Sequence, residues 1–214
     1  MPEVICTTVY HLLELSDAAK EKARSWYREL GPHDDWWDAV YEDFERVCEI
    51  LGIRLKTTSV NLMGGGATQK PCIWFSGFWS QGDGACFQGY WFHTKGAAVS
   101  IRYYAPTDVT LHGIADRLQA IQRRNFYQLA AEVSHRGRYY HEYTMSVDVT
   151  RNSSVWQPPT EDAEETVTEA LRDLARWLYR QLQAEYDHLT SDEAIDEGII
   201  VNEYTFTEGG RRFG

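Results

Sequence analysis

The run Phe75-Ser76-Gly77-Phe78-Trp79-Ser80-Gln81-Gly82-Asp83-Gly84-Ala85-Cys86-Phe87-Gln88-Gly89 restricts this chain more than any other stretch, because aromatics and glycines crowd around one short polar segment. Apolar arms on either side of Ser80–Gly84 predict a β-hairpin. Gly82 and Gly84 reach the positive φ that a tight loop needs, and Ser80, Gln81 and Asp83 hydrogen-bond locally. With that loop, Trp79 faces Ala85, Gly77 faces Phe87 and Phe75 faces Gly89, so each glycine lies under a ring from the opposite strand. Ile73, Phe75, Trp79, Phe87 and Trp91 then share one face, and Cys72, Trp74, Phe78, Cys86, Tyr90 and Phe92 the other. Both faces are apolar, which puts the hairpin in the middle of a sheet covered on both sides.

Before the hairpin, Val4, Cys6, Thr8 and Tyr10 alternate as a strand over Glu3–Tyr10. Ser16 then caps a helix whose Ala19, Ala23, Trp26, Tyr27 and Leu30 recur at helical spacing until Gly31-Pro32. A second helix starts at Asp34 or Asp35, carries Trp37, Val40, Tyr41, Phe44, Val47, Cys48 and Leu51 on one stripe, and ends at Gly52. Ile53–Leu62 reads as a strand, followed by a glycine-rich connection that lacks the Gly-Lys-Ser/Thr ending of a phosphate loop.

After the hairpin, Val99, Ile101 and Tyr103 alternate weakly as a strand within Lys95–Tyr104. Pro106-Thr107-Asp108 opens a helix with Leu111, Ile114, Ala115, Leu118 and Ile121 on its buried side. A second hairpin follows, in which a three-residue loop Arg136-Gly137-Arg138 sets Val133 opposite His141, Leu129 opposite Met145 and Tyr127 opposite Val147. Thr160 heads a long helix running to Leu189, and a short acidic helix and a strand at Tyr204–Thr207 close the chain. These elements predict an α+β fold, with a twisted, mainly antiparallel sheet of about five or six strands and helices packed against it. One domain over 1–214 is expected, with a linker at 152–159 leading into the C-terminal helical segment.

Charge is segregated. Of the formal −11, residues 1–50 hold −7 and residues 152–214 hold −9, while residues 51–151 hold +5. Acidic ends repel phosphate backbones, which disfavours direct nucleic-acid binding and favours a basic partner surface. No apolar run reaches the roughly 20 residues of a membrane helix, and Met1-Pro2-Glu3 lacks the start of a secretion signal. A cytoplasmic location with no membrane contact is expected. The four cysteines form no Cys-x-x-Cys pair, so a zinc site or disulfide framework is not indicated.

The Ser80–Gly84 loop is the candidate ligand site, with Ser76, Ser80, Gln81 and Asp83 as its polar groups; the competing reading is that Ser80 and Asp83 brace the turn. A Ser80 nucleophile needs a histidine, and no spacing nominates one. His93, His112, His135, His141 and Glu132 show no metal-ligand spacing. No catalytic residue, metal or cofactor is expected. The acidic runs Asp34, Asp35, Asp38, Glu42 and Asp43, and Glu161, Asp162, Glu164, Glu165 and Glu169, are the candidate protein-binding surface.

The pattern Phe75-Ser76-Gly77-Phe78, Ser80-Gln81-Gly82-Asp83-Gly84-Ala85 and Phe87 resembles the signature of a family of small, mostly uncharacterised phage and prophage proteins, some labelled antitoxin-like. The resemblance implies a phage-encoded, non-enzymatic protein in a bacterial host cell. It would bind a host or phage protein, as an antitoxin-like neutraliser or a counter-defence inhibitor that occupies a basic nucleic-acid-binding groove. The alternatives are a small-ligand-binding domain or hydrolase centred on the Ser80–Gly84 loop, and a virion or assembly component.

Overall fold

A computed structural model of the chain describes residue 3 and residues 6–32 and 34–214. Among the described residues there are six α-helices: α1 (Asp17–Leu30), α2 (Asp38–Leu51), α3 (Ala97–Tyr104), α4 (Val109–Arg124), α5 (Ala163–Leu189) and α6 (Asp192–Val201). The strands are β1 (Tyr10–His11), β2 (Ile53–Leu55), β3 (Thr57–Asn61), β4 (Ala67–Pro71), β5 (Ile73–Phe75), β6 (Ala85–Phe87), β7 (Gly89–Phe92), β8 (Leu129–His135), β9 (Met145–Arg151) and β10 (Thr205–Phe206). The fold is α+β. A single sheet of five or six strands does not form. The largest sheet has four strands, in the order β2-β7-β8-β9, and β1-β10, β3-β4 and β5-β6 are separate antiparallel pairs.

The division has a local cause. Three extended segments, 53–61, 67–75 and 85–92, each bend once and exchange partners at the bend. There the Lys56 N–H donates to the Gln88 carbonyl at 2.9 Å, Cys72 N–H to Lys56 at 2.7 Å, and Gln88 N–H to Cys72 at 2.9 Å. This closed ring of three backbone bonds satisfies the groups that a broken ladder would leave orphaned. On one side of it β2 pairs with β7, on the others β3 with β4 and β5 with β6. Gly89 lies at the bend for steric reasons: a Cβ there would meet the Arg54 carbonyl oxygen at 2.7 Å.

Both hairpin registers differ from expectation, and in the same way. In the first, Phe87 faces Ile73 and Ala85 faces Phe75, so the connection is nine residues long and the glycines are not covered by cross-strand rings. Trp79, expected inside, is 79% exposed. In the second, Val133 faces Val147 and Leu129 faces Arg151, with residues 136–144 as the connection. Each slip is an even number of residues, so the buried faces survive: Leu129, Ala131, Val133, Met145 and Val147 all point inward. The weak strand at Lys95–Tyr104 is instead α3. Its buried residues, Ala98 and Ile101, are three apart as a helix requires, and the alternating Val99 and Tyr103 are exposed.

The backbone groups into two compact units. One contains the described residues of Met1–Trp37 together with Gln183–Gly214. Its core is Leu12, Leu15, Ala19 and Ala23 against Ile195, Ile199 and Phe206, edged by Trp26, Tyr27 and Tyr204. Arg24 donates to both carboxylate oxygens of Asp196, at 2.7 and 2.6 Å, tying α1 to α6. Of the expected strand at Glu3–Tyr10, Val4 lies outside the described residues and only Tyr10 is in a strand, as the start of β1.

The other unit, Asp38–Leu182, includes the 152–159 segment. Phe44, Val47 and Leu51 of α2, Leu111, Ile114 and Ile121 of α4, and Leu171, Leu174 and Leu178 of α5 are fully or almost fully buried in its core, with Phe87 and Trp91 from the strands. At roughly 1.5–3 kcal/mol per buried large side chain, this packing is the main stabilising term. The Trp91 indole N–H is satisfied by the Leu51 carbonyl at 3.2 Å.

Candidate functional site

The residues nominated from the sequence at Ser80–Gly84 brace the loop itself. Asp83 Oδ2 accepts from the Trp79 and Ser80 amides at 3.0 and 2.7 Å, and the Ser80 carbonyl accepts from the Asp83 N–H at 3.1 Å. Ser76 Oγ accepts from the Gly84 N–H at 3.2 Å and donates to the Tyr140 carbonyl at 3.4 Å. The Tyr179 hydroxyl of α5 pins the Gly77 carbonyl at 3.0 Å, and burial and the Asp83 carboxylate push that phenol up. Gln81 is exposed. Among the described residues no histidine hydrogen-bonds Ser76, Ser80, Gln81 or Asp83. The nearest, His141, lies against Gly84, where a Cβ would meet its ring at 2.9 Å and its Cα at 3.1 Å. Its Nδ1 faces Glu142 at 3.1 Å instead. Cys86, in β6, is fully buried, and its thiol is pushed up to about 12 by that burial, which favours the neutral form.

The acidic runs are less coherent than their sequence spacing. Asp34 and Asp35 belong to one unit, and Asp38, Glu42 and Asp43 to the other. Asp43 accepts from the Tyr104 hydroxyl. In the second run Asp162 is paired with Arg124, and Glu169 with Arg172 at 2.8 Å and Arg176 at 3.6 Å. Glu161, Glu164 and Glu165 stay exposed around the first turn of α5, where they line a shallow ledge with Thr168.

Elsewhere a cavity of about 460 Å³ lies between β7, α3 and α4. Its apolar wall is Leu51, Trp91, Val99, Ala115 and Leu118; its polar rim is His93, Thr94, Lys95, Gln119 and Tyr127. The volume falls within the range typical of small-molecule sites, about 300–1,000 Å³, and the mix of apolar wall and few polar groups is theirs too.

The geometry of the cavity comes from the turns at its two ends. At one, Gly96 adopts φ +82° and its carbonyl accepts from the Val99 and Ser100 amides at 2.9 Å, starting α3 immediately after Lys95. At the other, Phe126 and Tyr127 both adopt left-handed φ values, +56° and +61°. Such conformations cost bulky residues on the order of 1–3 kcal/mol each and persist only where the surroundings hold them. Two buried amides do so. Gln122 donates to the Leu129 carbonyl at 2.8 Å and accepts from its N–H at 3.1 Å. Asn125 donates to Ile121 and Thr160 and accepts from the Thr160 N–H at 2.9 Å. The strained turn brings the Tyr127 ring to 4.6 Å from that of His93, across the cavity mouth.

Sequence reasoning missed this site because it took α3 for a strand. The available signal was His93-Thr94-Lys95-Gly96, a polar, basic turn placed between a buried aromatic strand and an apolar segment. No group of three or more His, Cys, Asp or Glu side chains converges as a metal site among the described residues, and no described helix is long and apolar enough to cross a membrane.

A family profile described as a domain of unknown function, DUF8835, matches residues 36–192, a span that includes both the Ser80–Gly84 loop and the cavity. No curated protein and no solved structure matches the chain.

Proposed function

The chain belongs to the DUF8835 family, domains of unknown function, and we propose that it is a binding protein, not a catalyst, whose cavity between β7, α3 and α4 takes a small, mainly apolar molecule. One observation carries the reading: an apolar cavity of about 460 Å³ whose rim keeps the Thr94, Lys95 and Gln119 side chains free of internal hydrogen bonds among the described residues. At the Ser80–Gly84 loop the Asp83 carboxylate and the Ser76 hydroxyl are engaged in bracing the backbone, and burial holds the Cys86 thiol neutral. Isothermal titration with 2-naphthol, an uncharged ring probe, tests the reading. Binding is expected to the protein as it stands and to fall at least tenfold in Val99→Trp and Gln119→Trp, which plug the mouth from exposed positions. Equal binding by both variants would remove the cavity as the site.

A second reading is favoured by the ledge at the head of α5. Among the described residues Glu161, Glu164 and Glu165 make no ion pair, which fits a protein that presents carboxylates to a basic partner; the hairpin signature adds a phage-encoded protein acting on a host or phage protein. Reversing the three to lysine should abolish capture of such a partner and leave 2-naphthol binding intact.

A further inference from the structure

We infer that the ligand of this cavity is a monocarboxylate, with a ring-sized apolar body against Val99 and Tyr127 and its carboxylate on Lys95 at the head of α3. The inference rests on the cavity reading above and adds the ligand's charge and orientation.

Charge is the first argument. In a chain of formal charge −11, the lining of this cavity contains one lysine and no aspartate or glutamate. Lys95 makes no ion pair among the described residues, whereas Lys56, the lysine on the neighbouring strand segment, is paired with Glu132 at 2.7 Å. A neighbouring ledge that shares Thr94 holds Glu45 and Glu49, but Glu49 is paired with Arg46, and burial raises the Glu45 carboxyl. An ammonium at the rim of an apolar cavity interacts with an anion more strongly than one in open water, because the local dielectric is lower.

The number and placement of donors set the class. A dianionic phosphate calls for several cations or a cluster of amides, and the rim supplies one ammonium, the Thr94 hydroxyl and the Gln119 amide. That set matches a singly charged, planar acceptor. The positive end of the α3 dipole lies beside Lys95 and adds in the same direction. Beside the rim the accessible apolar surface is that of Val99 and Tyr127, over buried, apolar Leu51, Trp91, Ala115 and Leu118, so the body of the ligand should be apolar too. Gln122, the one buried polar side chain in the wall, has both amide atoms engaged with Leu129 and cannot turn to a polar ligand.

The experiment compares 2-naphthoate with 2-naphthol, probes of one shape that differ in charge at neutral pH, against the wild type, Lys95→Gln and Lys95→Arg. We expect naphthoate to bind the wild type about tenfold tighter, the margin of a charge-assisted over a neutral hydrogen bond. Lys95→Gln should erase that preference, and Lys95→Arg should restore it. Lys95 is exposed, so neither change endangers folding. Naphthoate binding no tighter than naphthol, or a preference that survives Lys95→Gln, would overturn the inference and leave the cavity reading standing. Binding of neither probe would overturn both.

Discussion

The Ser80–Gly84 loop and the cavity between β7, α3 and α4 lie in the same unit and are both rich in polar and aromatic residues, yet their polar groups are used in opposite ways. In the loop, the Asp83 carboxylate, the Ser76 hydroxyl and the Ser80 backbone close hydrogen bonds within the hairpin or to the segment at Tyr140. At the cavity, the groups that stabilise the structure, Gln122 and Asn125, sit behind the wall, and among the described residues the Thr94, Lys95 and Gln119 side chains on the rim hold no hydrogen bond. A dense local signature therefore marks where a backbone is hard to build, while a binding site needs polar groups that the fold leaves idle.

The contrast can be broken most sharply at Cys86. If the hairpin is scaffolding, this buried thiol should react with iodoacetamide at pH 8 about a thousandfold or more slowly than exposed Cys6, since almost none of it is thiolate. Peptide mapping after a timed quench measures both rates, and comparable labelling would give the hairpin a nucleophile. Next in size is Gly84→Ala. Its new Cβ would press on the His141 ring and Cα, and we expect a loss of about 2 kcal/mol in urea unfolding, with 2-naphthol affinity unaltered. Asp83→Asn keeps an acceptor but loses the charge, so a smaller destabilisation of about 1 kcal/mol is expected, again without effect on the probe. A drop in probe affinity there would return the loop to candidacy.

The smallest effect is expected at the cavity. Tyr127→Gly relieves a left-handed aromatic residue and should be neutral or stabilising by up to about 1 kcal/mol, while weakening the probe several-fold by removing the ring at the mouth. Loss of stability would mean that the ring, not the ligand, is what the strained turn serves.

Much of this architecture was legible before any coordinates. Ser16, Gly31, Gly52, Asp108 and Ser191 mark helix ends because capping is local chemistry, and α5 runs to Leu189 as its leucine stripe predicts. Strand faces were legible too, since burial fixes parity. Register was not: slips of four and six residues keep the paired strands' apolar faces on the same side, so hydrophobic alternation cannot separate them, and the choice falls to the connections at 76–84 and 136–144. The partner exchange at Lys56, Cys72 and Gln88 is made by backbone groups alone and leaves no side-chain trace. The cavity was lost with α3, where Val99, Ile101 and Tyr103 imitate a strand although Ala98 and Ile101 are the residues that pack.

Amide and indole NMR shifts during titration with 2-naphthol test the central claim most directly. The account predicts shifts grouped at the Trp91 indole and the backbone amides of Thr94–Val99, Leu118–Gln122 and Tyr127, with Ser76–Gly84 unmoved. Shifts grouped at Ser76–Gly84, or none at saturating probe, would contradict it.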